Sequence, residues 1–310
     1  MDGETLIMRG MKPPRISLSW NPVLLASLAP GLFVVLWSTG FVAARSGLDH
    51  AGPLSFLTVR YLVVIVLLLV IAVISRAPWP RGLRQWLRIG ISGILIHACY
   101  LAGIYLAIAD GLPVGVASLI VCLQPLLTAF AAGLLLAEKV TGRQWLGLSL
   151  GLIGTIFVVS ARLTGGYGLI GLPAVFGALF GITAGSLYQK RFCPRFDYRT
   201  GAVVQYIPAA AMTAVALYFF ENFRIDWNPS FIVALGWLTV VLSVAGVGLF
   251  NYLIRTASAT RVASLFYLVP ACTALIAWLR FDERLDATVV AGMVLVMIGV
   301  HLARQRTEKA

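Results

Sequence analysis

"VASLIVCLQPLLTAFAAGLLLAE" fills residues 116–138, and "VASLFYLVPACTALIAWLRFDE" fills residues 262–283. Both are apolar runs with a proline near the middle and a glutamate at the end. Setting Pro125 against Pro270, an offset of 145, also pairs Thr128 with Thr273, Glu138 with Glu283, Gly147 with Gly292 and Gly154 with Gly299. Leucine and alanine coincidences come cheaply in apolar sequence. Proline, threonine, glutamate and two glycines in one register do not, and they indicate an internal duplication.

The rest of the chain fits this reading. It has 310 residues, 60% hydrophobic and 12% charged, with mean hydropathy +0.91. A soluble domain carries about 25% charged residues. An integral membrane protein is expected, and ten apolar segments long enough to cross a hydrocarbon core can be marked. They lie near 27–47, 54–74, 87–108, 113–136, 143–162, 168–190, 200–221, 230–254, 259–281 and 286–303. None alternates with a period of two, so they read as helices rather than barrel strands. The expected fold is therefore all-α, ten transmembrane helices in two five-helix repeats, 27–162 and 168–303, with tails at 1–26 and 304–310. The polar N-terminal tail precedes the first segment, which is expected to be retained as a helix.

Five is an odd number of crossings, so the second repeat must enter the membrane upside down relative to the first. The charge map agrees. Of 24 Lys and Arg, 18 lie in the two tails and in alternate loops on one side, five on the other, and Arg60 within a segment. That bias places both termini in the cytoplasm. The net charge of +12 thus reports topology, not a nucleic-acid footprint. Cys99, Cys122, Cys193 and Cys272 show no CxxC spacing, so neither a disulfide framework nor a zinc site is indicated.

The tandem repeat resembles the EamA-type members of the drug/metabolite transporter superfamily. The stretches that carry the likeness are "LWSTGFVAARSGL" in the first segment, "GPLSFLTVR" entering the second, the fourth and fifth segments, and their echo at 262–302. The resemblance implies ten helices, a cavity between the halves, and export of a small metabolite, such as an amino acid or related compound, across the bacterial inner membrane. Inverted repeats suit that task, because exchanging the conformations of two halves turns an inward-open state into an outward-open one.

Candidate cavity residues follow from the cost of polarity in lipid. Matched prolines, Pro125 and Pro270, mark helix breaks, the best sequence pointer to a transporter site. Gln124 neighbours the first. Arg60 is the charge placed well inside a segment, where its burial costs about 2.5–3.5 kcal/mol on insertion scales. It either meets an anionic or zwitterionic substrate or snorkels to the interface. The repeat register sets Gln205 opposite it. His97 is the mid-membrane group that titrates near neutrality and is the candidate for proton coupling. Trp37 and Tyr100 could wall a cavity. Asn251, Tyr252 and Tyr267 add further polar groups, each also readable as packing.

Glu138 reads as an interfacial anchor. The stretch "SRAPWPRGLRQWLR" reads as an interfacial contact with anionic lipid. Asp282, Glu283 and Asp286 are the densest acidic group and the main argument for an enzyme, but Arg280 and Arg284 beside them argue for neutralisation. GxxxxGK[ST], HExxH and GxSxG are absent, and no cofactor or metal is expected. A passive channel of the same fold is the nearer alternative to an active exporter.

Overall fold

A computed structural model of the chain describes residues 22–112, 114–160, 171–193, 195–281 and 287–303. The expectations that rest on Glu283, Asp282, Asp286 and most of the two tails lie outside those residues.

The described chain is helical and has no β-sheet, with one isolated bridge between Ala51 and Ile225. The elements are α1 (Pro22–Leu48), α2 (Pro53–Ile74), α3 (Leu83–Ala109), α4 (Val114–Val121), α5 (Gln124–Leu136), α6 (Gly142–Ser160), α7 (Leu172–Phe192), α8 (Tyr198–Phe220), α9 (Pro229–Thr256), α10 (Ala259–Ser264), α11 (Leu268–Phe281) and α12 (Ala287–Ala303). Among the described residues, seven helical stretches are long and apolar enough to cross a membrane, and α12 is a shorter apolar helix.

The helices begin where the sequence supplies caps. Asp197 accepts from Arg199 N (3.0 Å) at α8, Asn228 from Phe231 N (2.9 Å) at α9, and Ser258 from Arg261 N (3.3 Å) at α10. α2 shows why the helices are apolar all round. Tyr61, Val64, Leu68 and Ala72 face the protein core, while Leu62, Val66, Val70 and Val73 are exposed on the opposite stripe. Both faces meet apolar surroundings, one of protein and one of lipid.

α2 lies antiparallel to α8. Leu54, at its start, meets Glu221 just beyond the end of α8, and Thr200 at the start of α8 donates to Pro78 O (2.7 Å) just beyond the end of α2. α6 and α12 are also antiparallel and nearly in backbone contact. A Cβ on Gly147 would stand 2.6 Å from Gly299 O, and one on Gly154 would stand 2.6 Å from Gly292 O. Only glycine permits that approach.

The two prolines are not mid-helix kinks. The break comes first, at residues 122–123 and in the 3₁₀ turn Leu265–Tyr267, and each proline sits in the first turn of the helix that resumes. There its missing N–H costs little. The breaks also meet: Cys122 Sγ donates to Phe266 O (3.5 Å), the carbonyl that Pro270 would leave without an α-helical donor. Two longer irregularities are i→i+5 segments, Ile94–Cys99 within α3 and Trp237–Gly246 within α9. Such segments are rare and gather at functional sites.

Candidate functional site

Arg60 does not snorkel. Its side chain is 1% exposed and points into the bundle. Nη1 donates to Tyr105 OH (2.9 Å), while Nε and Nη2 donate to Ser243 Oγ at 3.2 and 3.0 Å. No carboxylate among the described residues pairs with it. Guanidinium has five N–H donors, so two remain beyond those three bonds. An unneutralised buried cation is costly, and such groups mark substrate or ion pathways in membrane proteins.

The guanidinium borders a cavity of about 30 Å³, walled by Trp37, Phe41, His97, Tyr100 and Leu242. Both i→i+5 segments reach it, the first through His97 and the second through Leu242, with Ser243 next along the chain. On its apolar side Trp37 stacks against Tyr100 (6.4 Å, 15°) and packs on Phe33, Phe250 and Phe266. His97 stacks on Tyr206 (4.0 Å, 18°), and its backbone oxygen accepts from Tyr61 OH (2.8 Å).

Four of the residues singled out in the sequence, Trp37, Arg60, His97 and Tyr100, thus share one cavity. Gln205 is in a second polar group. Its Nε2 donates to Ser92 Oγ (2.9 Å) and Gln189 Oε1 (2.8 Å), and Gln189 Nε2 donates to Asn251 Oδ1 (2.5 Å). This chain ties α3, α7, α8 and α9 together. Gln124 borders a smaller void of about 10 Å³ with Ser186 and Lys190. Tyr267 is buried beside Gly151, and Tyr252 is half-buried; neither lines the Arg60 cavity. Ser243 and Tyr105, the two partners of Arg60, were not selected from the sequence. The only signal was a hydroxyl in an apolar helix, which is common.

Carboxylates cap helices in the same manner at the two ends of the bundle. At one end Glu221 accepts from Leu54 N (2.9 Å), Ser55 N (2.9 Å) and Ser55 Oγ (2.5 Å), capping α2. Asp226 N donates to His50 O (2.8 Å) beside it. At the opposite end Glu138 accepts from Ala259 N (3.0 Å) at the start of α10 and lies 3.9 Å from Lys190 Nζ. Lys190 in turn donates to Ile254 O (3.1 Å) and Ala257 O. Glu138 is therefore a cap tied to another helix, not an anchor facing headgroups. The left-handed Ala137 (φ 53°) turns the chain so that it can reach.

Comparison with known proteins identifies the setting of this site. The model of the EamA-like transporter family matches twice, over residues 23–160 and 169–304. A protein of Escherichia coli (strain K12) named "probable amino-acid metabolite efflux pump" is 26% identical over 283 residues, covering 87% of this chain and 92% of that protein. The uncharacterized transporter YvbV of Bacillus subtilis (strain 168) is 25% identical over 283 residues, covering 91% and 92%. A solved crystal structure at 20% sequence identity superposes with a TM-score of 0.71 over 90% of this chain and 96% of that one, a likeness of fold. These matches, with the apolar helices, make this a multi-pass membrane transporter rather than an enzyme. With its family model matching over most of the sequence, the chain belongs to the EamA-like transporter family.

Proposed function

We propose that the chain is a secondary exporter of a small anionic or zwitterionic metabolite, an amino acid or related compound, working by alternating access around the Arg60 cavity in the inner membrane. The observation that carries the reading is a fully buried guanidinium with spare donors and no carboxylate partner among the described residues, beside a void walled by apolar rings. A substrate carboxylate would complete the site, and the rings would hold an apolar body. His97, on the same wall, is the group through which protons would couple.

In this proposal α4 with α5, and α10 with α11, each form one broken crossing. The chain then has ten crossings in two inverted halves, 27–162 and 168–303, with both termini cytoplasmic. Several features support that arrangement. The i→i+5 segment at 94–99, shifted by the repeat offset of 145, falls at 239–244, inside its counterpart at 237–246. The antiparallel glycine pairs of α6 and α12 are repeat partners exchanged: Gly147 meets Gly299, and Gly154 meets Gly292. The end closures are reciprocal, since Glu138 of the first half caps a helix of the second and Glu221 of the second caps a helix of the first.

The test is counterflow in proteoliposomes with Arg60→Gln. Transport of carboxylates should fall about tenfold or more, since removing one partner of a buried charged contact costs 2–5 kcal/mol. Neutral and cationic compounds should be affected much less. An equal loss for all classes would make Arg60 structural. Equilibration without accumulation against a gradient would make the protein a passive facilitator.

A further inference from the structure

A second cationic site lies at the same end of the bundle as Glu138 and Lys190, outside the cavity. Arg81, Arg84 and Arg88 at the start of α3 meet Arg195 from the α7–α8 loop around a groove of about 370 Å³. Among the described residues, none of the four guanidinium groups has a hydrogen bond or an ion pair, and Arg88 lies over the ring of Phe192, 5.7 Å from its Cζ. Among the described residues, no acidic side chain lines the groove. Four like charges held together without a counter-charge repel one another, so the arrangement needs either wide separation or an anion.

Separation is prevented by the way the groove is built. Gln85 uses both ends of its amide: Oε1 accepts from Arg81 N (2.7 Å) and Nε2 donates to Arg195 O (3.2 Å). Thr200 pins the loop after α2 through Pro78 O (2.7 Å). Arg255 donates to Phe196 O (2.7 Å) and lies 4.1 Å from the centre of its ring, fixing the other loop. Buried Ile89 and Cys193 form the floor. The groove is therefore pre-organised before any ligand arrives.

Its surroundings select the ligand. Phe192 lines the groove and is exposed, Leu83 and Leu87 are exposed on the helix that carries Arg84 and Arg88, and Trp79 is stacked on Trp86 (5.9 Å, 7°) in the same stretch, where aromatic rings suit headgroup depth. A free phosphate would use the arginines and leave these apolar side chains bare. A phospholipid would use both, its phosphate among the guanidinium groups and its acyl chains along the leucines. We infer that this groove is a binding site for an anionic phospholipid, clamping the loop before α3 to the loop before α8. Because those loops lie in the two family-matched segments, an occupied groove holds this end of the bundle together.

The purified full chain would be placed in nanodiscs of phosphatidylglycerol or phosphatidylcholine and followed by thermal unfolding and by native mass spectrometry of retained lipid. Phosphatidylglycerol should raise the midpoint and co-purify. Arg84→Gln with Arg195→Gln should abolish most of that shift and weaken retention by about fivefold per arginine, at about 1 kcal/mol each. Arg84→Lys with Arg195→Lys, which keeps the charge, should retain most of it and controls for folding. An equal response to phosphatidylglycerol in wild type and the Gln variant would overturn the inference. So would an equal stabilisation by inorganic phosphate in detergent, or variants that lose substrate transport while lipid retention stays intact. Since the readout is lipid binding, it stands or falls separately from the exporter reading.

Discussion

Arg60 and Ser243, 183 residues apart in sequence, meet through two hydrogen bonds, Nε and Nη2 of the guanidinium both donating to one hydroxyl oxygen. That oxygen has two lone pairs and both are used. Ser243 is in the i→i+5 segment of α9, so the backbone irregularity and the buried charge form one unit.

Ser243→Ala leaves two N–H groups of a buried cation unsatisfied. The cost should be about 1–3 kcal/mol, read as a lowered thermal midpoint in detergent and weaker substrate binding. A carboxylate substrate should restore part of the lost stability by supplying acceptors, and Ser243→Thr should lie nearer the wild type. A Ser243→Ala protein with unchanged midpoint and unchanged binding would show that the hydroxyl does not support the guanidinium.

The apolar segments were legible because lipid demands length and composition, and both can be read locally. Arg60, His97, Trp37 and Tyr100 were legible because polar or amphipathic groups are conspicuous in an apolar helix. Their partners were less so: Ser243 is an ordinary helix hydroxyl until the fold brings it across 183 residues. Glu138 looked like an anchor because Ala259, the group it caps, is 121 residues away. Each proline stands two or three residues past a helical break rather than within a helix, because a proline tolerated in a helix's first turn looks the same in sequence as one that kinks a helix. The i→i+5 segments have no compositional signature.

The α6–α12 contact should be sensitive to substitution at its glycines. A Cβ at Gly299 would lie 2.5 Å from Gly151 N and 2.6 Å from Gly147 O, both backbone atoms that can move only with their helix. At Gly236 and Gly31 a Cβ would meet nothing within 4 Å. Gly299→Ala should therefore destabilise by about 1–3 kcal/mol, the usual range for overpacking. Gly236→Ala should be neutral or slightly stabilising, as alanine is the better helix former. Thermal unfolding of the two variants side by side checks this, and equal midpoints would refute the close approach.

Lys190 connects the end of α7 to the carbonyls of Ile254 and Ala257 and lies beside Glu138. Directly behind it, Ser186 and Gln124 border the void of about 10 Å³. Lys190→Met removes the ammonium and keeps the stem length. That end should open more often, and a cysteine at position 186 should react faster with a soluble maleimide than in the Lys190 background. Glu221→Gln, at the opposite end, should leave the rate at position 186 unchanged or lower it. An unaltered rate in Lys190→Met would mean that the contact does not gate access.

Asp197 offers a pH test outside the membrane spans. It caps α8 and holds Arg199 through Nε (3.0 Å) and Nη2 (2.7 Å). The hydrogen bond from the Arg199 side chain is the main cause that holds the Asp197 carboxyl below its ordinary range, opposed by partial burial. A carboxyl more acidic when folded than when unfolded stabilises the folded state above the unfolded value, near about 3.9, and loses that contribution as pH falls through the folded value. Asp197→Ala should therefore cost about 1 kcal/mol at neutral pH, the usual worth of an N-cap. The gap between wild type and variant should narrow as the pH is lowered through about 4. Paired thermal melts from pH 7 down to pH 3 measure the gap directly. A gap that stays constant over that range would show that the charge of Asp197 is not what stabilises the start of α8.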